Sequence, residues 1–223
     1  LKFIEYPDRD MLMMDLASKI AGEIGAALRG NDHASLCVPG GTTPGPMFDA
    51  LCAADVEWER VCVFLTDERW VPETSERSNT RLVRERLMVN RAAAARLVPL
   101  HMEDLQIEEA IPKLTAAIEP ELPISVLLLG MGTDGHTASL FPGADRLEAA
   151  MSDDAPPLMA ITAPGAPEPR LTLTLPVLHG AMSAHILIVG EEKREALERV
   201  RHAKPADAPV AAILPDATVH WAE

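Results

Sequence analysis

Apolar residues recur at Met13, Leu16, Ile20, Ile24 and Leu28, the spacing of a helix over Asp8–Leu28 with one core-facing stripe. Arg29-Gly30-Asn31-Asp32 then supplies stop and turn chemistry. Beyond it the pattern shortens. Ser35–Val38, Val61–Leu65, Leu97–Leu100, Ile124–Leu129, Leu158–Thr162 and His185–Val189 are apolar runs of strand length, and Arg170–Leu175 alternates Leu with Thr. Pro99 suits an edge strand better than a central one. Between these runs lie helical segments: Pro44–Ala53, with Thr42 or Thr43 as N-cap and Pro44 near N1, and one capped by Ser78-Asn79 and ending near Leu87. Further helices are predicted at Asp104–Ile118, interrupted near Pro112, at Pro176–Met182 and at Glu191–Arg201. Ala211–Leu214 and a last strand, Thr218–Trp221, finish the chain. Residues 66–69 and most of 143–170 read as loop, and Thr137–Leu140 as a first helical turn stopped by Pro142-Gly143.

Strands alternate with helices almost throughout. The expected fold class is therefore α/β: a single Rossmann-like domain over 1–223, with a mainly parallel sheet and helices on both faces. Right-handed crossovers would gather the loops that follow the strands on one edge. At 223 residues the chain suits one domain with a substantial core.

Composition narrows the function. Only 4% of residues are aromatic, so aliphatic side chains, Met and Ala must fill the core. A net charge of −14 argues against nucleic acid as a partner, which requires clustered Lys and Arg. Any anionic ligand must be held by a local positive site, screened from the overall field by salt. Cys37, Cys52 and Cys62 are odd in number, lie in or beside apolar stretches and lack CxxC spacing, which fits reduced buried thiols. No apolar run approaches the ~20 residues of a membrane span. Leu1–Glu5 lacks the charged and long apolar regions of a signal peptide, and the cytoplasm is the expected location. HExxH and CxxC patterns are absent, so neither metal nor cofactor is expected. The oligomeric state cannot be read from the sequence.

The chemistry concentrates in Leu127–Gly143, LLLGMGTDGHTASLFPG, where a buried strand empties into a glycine-rich turn. His136 leaves that turn two residues after Asp134, and an imidazole titrates near neutral pH, as a general base must. Asp134 either orients His136, touches a ligand or caps the following turn; the spacing does not decide. The other histidines, His33, His101, His179, His185, His202 and His220, read as surface or core residues. Gly40, Gly41, Thr42 and Thr43 sit where a strand hands over to a helix, a place for anions, although the same pattern alone more often marks an ordinary turn. The Lys of GxxxxGK[ST] is missing, so this is not a nucleotide P-loop. Asp67 and Arg69 either pair with each other or face a ligand, and the side taken by Glu68 is unassigned. Arg170 and Lys193 are cations at a strand start and in a helix first turn. Each alone reads as solvent-exposed charge.

Gly130–Gly143 resembles the GMGxDGHTASLFPG signature of the 6-phosphogluconolactonases. Pro39–Pro44 and Thr66–Pro72 followed by Ser78-Asn79 resemble that family in the same order and spacing, so the likeness runs over about residues 36–195. The resemblance implies a sugar-phosphate substrate: hydrolysis of 6-phospho-D-glucono-1,5-lactone to 6-phosphogluconate, in the oxidative pentose phosphate pathway. His136 would activate water, with Gly41, Thr42, Arg170 and Lys193 on the phosphate. Asp67 would lie near the sugar hydroxyls and Arg69 along the substrate. A glucosamine-6-phosphate deaminase or isomerase shares the glycine loop and DGH element, but Thr137-Ala138-Ser139 lacks the acidic residue deaminases carry there. A sugar-phosphate-sensing module would keep the loop without needing His136.

Overall fold

The computed structural model describes residues 1–223. Its strands are β1 (Lys2–Glu5), β2 (Ala34–Val38), β3 (Val61–Leu65), β4 (Asp67–Arg69), β5 (Arg96–Val98), β6 (Val126–Leu129), β7 (Leu158–Ile161), β8 (Arg170–Leu173), β9 (Ala184–Val189) and β10 (Thr218–Ala222). Its helices are α1 (Arg9–Gly30), α2 (Gly45–Leu51), α3 (Asn79–Arg86), α4 (Ile107–Ile118), α5 (Leu147–Ala150), α6 (Leu175–His179) and α7 (Glu191–Val200). Seven strands form one sheet in the order β1-β10-β9-β6-β2-β3-β5, with every pair parallel. β2, β3 and β6 are buried along their whole length, which is why they read as unbroken apolar runs. β5, which ends just before Pro99, lies at the edge as expected.

The chain steps from β2 to β3 to β5 in one direction, then returns so that β6 pairs the other side of β2. With right-handed crossovers, this reversal puts α1, α2 and α3 on one face and α4 and α7 on the other. It also opens a crevice between the carboxyl ends of β2 and β6, the switch point at which such sheets bind ligands. No helix is long and apolar enough to cross a membrane.

Several expectations are corrected. Residues 66–69 are not loop. They carry the chain into β4, which joins β8 and β7 in a separate three-stranded antiparallel sheet. Thr66 is the changeover point: its N–H donates to Val38 of the large sheet at 3.0 Å, and its carbonyl accepts from Leu173 of the small one at 2.9 Å. Neither threonine caps α2. That helix starts later, with Pro44 at the N-cap and no side-chain cap, and Pro46 removes one of its first-turn donors. Thr137–Leu140 is a tight turn closed by Leu140 N–H on Thr137 O at 3.0 Å, with Ala138 at φ 49°, and is not helical. Pro112 lies inside α4 without breaking it. β1, an edge strand with exposed ends, was not anticipated, nor was α5.

Glu68, whose side the sequence left open, is fully buried. Its carboxylate accepts from the backbone N–H groups of Arg69, Asn79 and Thr80, each at 2.8 Å, and from the Thr80 hydroxyl at 2.8 Å. It thus caps α3 from the neighbouring sheet, beside the Ser78 side chain that accepts from Arg81 N–H. Burial pushes the Glu68 carboxyl upward, and these donors pull against it.

His185 and His220, which the sequence leaves as surface or core residues, are both buried. A hydrogen-bonded chain runs from half-buried Glu23 to buried His185 (2.8 Å), to buried His220 (2.9 Å), to the Tyr6 hydroxyl (2.9 Å) and out to exposed Asp15 (2.7 Å). It ties α1 to β9, β10 and the segment after β1.

Candidate active site

The crevice at the switch point is a cleft of about 260 Å³. Six chain segments deliver its polar wall: the loop after β2, β4, the start of α3, the turn after β6, β8 and the start of α7. Of the residues singled out in the sequence, Gly40, Gly41, Thr43, Asp67, Arg69, His136, Arg170 and Lys193 line it together. Thr42 and Asp134 do not. Thr42 is exposed beside the cleft, and Thr43 takes the wall position. Asp134 stands behind His136.

Nδ1 of His136 lies 2.6 Å from Oδ1 of Asp134, which also accepts the His136 backbone N–H at 3.0 Å. Burial pushes the Asp134 carboxyl up, but the His136 backbone and imidazole together outweigh it and hold it below the usual carboxylate range. An ionised Asp134 on Nδ1 assigns the proton there and leaves Nε2 as acceptor. The turn permits this because residue 132 is glycine: a Cβ there would stand 2.0 Å from His136 Nδ1. At Gly41, φ is +85°, a conformation that L side chains rarely adopt, so the loop can present its backbone along the cleft.

The Thr137–Leu140 turn is fastened to the small sheet. Ser139 Oγ donates to Asp67 Oδ2 at 2.6 Å, and Ser139 N–H donates to the Thr172 hydroxyl at 3.2 Å. Asp67 Oδ1 accepts from the Thr66 hydroxyl at 2.7 Å. Asp67 therefore bonds Thr66 and Ser139, and hydrogen bonds to Arg69 play no part in holding it. The left-handed Ala138, on the cleft wall, is held between these bonds.

Arg69 and Arg170 are direct cross-strand neighbours on β4 and β8. Like charges placed directly opposite destabilise a sheet. The Nε of each is buried without a hydrogen-bond partner. Burial pushes the Arg170 guanidinium down, Arg69 and Arg77 act in the same direction, and Asp67 and Glu168 oppose them. Arg69 also donates to the Arg77 carbonyl at 2.8 Å, and Arg77 is paired with Glu168 at 2.5 Å. Two guanidiniums in this setting suit an anion with several acceptor oxygens. Lys193 reaches over the turn from α7, donating to the Met131 carbonyl at 2.7 Å.

Sequence reasoning missed three contributors. Asn79, read only as a helix cap, lines the cleft and donates to the Asp67 carbonyl at 3.0 Å. Ser139 is the fastening just described. Phe141 stacks on His136, with centroids 4.1 Å apart and planes at 25°. All three lie within the motifs that carry the resemblance, Asn79 in Ser78-Asn79 and Ser139 and Phe141 in Gly130–Gly143, but the motifs assign none of them a role in the cleft. No group of three or more His, Cys, Asp or Glu side chains stands ready to hold a metal ion.

Comparison with known proteins identifies the family. A 6-phosphogluconolactonase of Mesorhizobium japonicum is 44% identical over 196 residues, covering 86% of this chain and 82% of that protein. One from Rhizobium meliloti is 39% identical over 215 residues, covering 93% and 92%. The crystal structure of a 6-phosphogluconolactonase from Shewanella baltica superposes with a TM-score of 0.95 at 32% identity, covering 100% of this chain and 97% of the other. The profile of one family matches residues 7–221, and the chain belongs to it: the glucosamine-6-phosphate isomerases/6-phosphogluconolactonases.

Proposed function

We propose that the protein hydrolyses 6-phospho-D-glucono-1,5-lactone to 6-phosphogluconate. The observation that carries the reading is His136 on the cleft wall, its Nδ1 pinned by Asp134, in the same cleft as two cross-strand arginines. Relatives named as 6-phosphogluconolactonases at 35–44% identity support it.

The phosphate is held by Arg170 and Lys193 with the Gly40-Gly41 loop and Thr43. Thr42, outside the wall, is the weakest member of the set read from the sequence. Because α2 is short and carries Pro46, the cations supply more of this grip than the helix terminus does. Binding at that remote group orients the lactone ring. His136 Nε2 takes a proton from water as the oxygen attacks the C1 carbonyl, and donors of the glycine turn with Arg69 face the developing oxyanion. The C1–O bond to the ring oxygen then breaks, and the imidazolium returns the proton to that oxygen. Asp134 keeps the ring oriented and balances its positive charge, as an orienting carboxylate does in hydrolytic triads. Asp67, already bonded to Ser139, faces the sugar hydroxyls from the wall.

Lactone hydrolysis by the purified protein and by His136→Ala tests the reading. A large loss of kcat in the variant is expected. Release of ammonia from glucosamine 6-phosphate with no effect on the lactone would overturn it in favour of a deaminase. Tight sugar-phosphate binding without turnover would favour a sensor.

A further inference from the structure

We propose that Phe141 is a positioning residue that sets the His136 imidazole and the Arg170 guanidinium relative to each other. The inference rests on the site reading above and extends it to a side chain outside the cleft wall. The His136 ring lies 4.1 Å from the Phe141 ring, centroid to centroid and nearly parallel. The Arg170 Cζ stands over the same ring at 5.1 Å. One half-buried aromatic thus touches both the base, which belongs to the turn after β6, and the arginine, which belongs to the small antiparallel sheet.

The platform itself is rigid. Phe141 follows the turn closed by Thr137 and Leu140 and fastened by Ser139 to Asp67 and Thr172. Pro142 comes next, and the Phe141 carbonyl accepts from Ala144 N–H at 3.1 Å. An aromatic face carries negative charge density. It therefore attracts the guanidinium at all times, and the imidazolium once His136 has taken the proton. A leucine of similar bulk fills the space but offers no such face.

Kinetics of Phe141→Leu, Phe141→Tyr and the pairs with Arg170→Met and His136→Ala test the assignment. Phe141→Leu is expected to raise KM about 5-fold through a loosened Arg170. It should also lower kcat about 10-fold through a displaced His136. Phe141→Tyr, which keeps the flat face, should recover most of both. In the Arg170→Met background Phe141→Leu should add no further rise in KM, and in the His136→Ala background no further fall in kcat. A purely structural role would instead give equal multiplicative losses in every background, with a lowered melting temperature and no recovery by Tyr. Those results, or wild-type kcat and KM in Phe141→Leu, would overturn the proposal. If the wild-type protein proved inactive on the lactone, the reading of the site would fall by itself. Calorimetric binding of 6-phosphogluconate would then decide Phe141: about 5-fold weaker binding in Phe141→Leu supports its hold on Arg170, and unchanged binding refutes it.

Discussion

Asp134 meets His136 twice through a single carboxylate oxygen, once at the imidazole Nδ1 (2.6 Å) and once at the backbone N–H (3.0 Å). The ring is thereby fixed in both position and tautomer. In Asp134→Asn, an amide turned to present a hydrogen to Nδ1 favours the tautomer with Nε2 protonated and gives up the backbone bond, and an amide that keeps its oxygen there lacks the charge that balances the imidazolium. We expect kcat to fall by roughly 10²-fold or more with KM nearly unchanged. Steady-state lactone kinetics check this, and equal loss in KM would contradict it.

Gly132→Ala puts a Cβ where Nδ1 of His136 now stands, 2.0 Å away, and close to Asp134 Oδ1 at 2.4 Å. The imidazole must move. A displacement of that size is expected to reduce kcat on the order of 10²-fold, while the circular dichroism spectrum stays that of the folded protein.

Arg170→Met should remove selectivity for the phosphate more than it removes hydrolysis. The ratio of kcat/KM on the phosphorylated lactone to that on unphosphorylated gluconolactone is expected to drop about 10- to 100-fold, the range of a charge-assisted bond to phosphate. Lysine at this position should recover little, because it offers a point charge in place of a planar fork. An unchanged ratio would place the phosphate elsewhere.

Glu68→Ala strips the cap from α3 and leaves the buried N–H groups of Asn79 and Thr80 without partners. The expected cost is about 3 kcal/mol. For a chain of this size that corresponds to a melting temperature lower by roughly 6–12 °C. Differential scanning calorimetry reads it directly. A drop of a degree or less would mean that water or Ser78 replaces the cap.

The buried histidine chain sets an acid limit. Burial pushes His220 down to about 3, helped by His185 and Lys19 and opposed by Asp15 and Glu23. Free of the fold, its imidazole takes up a proton near 6.5. The folded form therefore binds fewer protons than the unfolded form across this interval, so stability present above about pH 6.5 declines as pH falls toward 3. Glu23 acts in the same direction at lower pH: burial raises its carboxyl, but the His185 bond outweighs that and holds it below the usual range. Urea unfolding between pH 7.5 and 4 should show this loss. His220→Gln should be less stable at pH 7.5 yet lose less on acidification. An equal acid slope in the variant would remove His220 as the cause.

The large sheet was legible because β2, β3, β6 and β9 are apolar enough to be recognised without tertiary information. Asp67-Glu68-Arg69 was not legible as a strand. Its polarity suggests a loop, and only the bonds of Glu68 to α3, made 10 to 12 residues away in the chain, make burial acceptable. Ala138 carries no mark of its left-handed conformation, since the cause lies in Asp67 and Thr172 holding Ser139 from another sheet. The resemblance named most of the cleft wall but put Thr42 on the phosphate, whereas Thr42 is exposed and Thr43 lines the cleft. Of the three roles the sequence allows Asp134, the geometry combines two: it orients the imidazole through Nδ1 and caps the turn through the His136 backbone N–H.

The passage of the chain through Thr66 from one sheet into the other divides the cleft wall between two frames. His136 leaves the parallel array, whereas both arginines stand on the three-stranded sheet, whose Leu158, Leu171 and Leu173 belong to the same hydrophobic core. An engineer seeking a different acid group on the substrate could therefore recut position 170 at the start of β8 without touching the turn that carries His136.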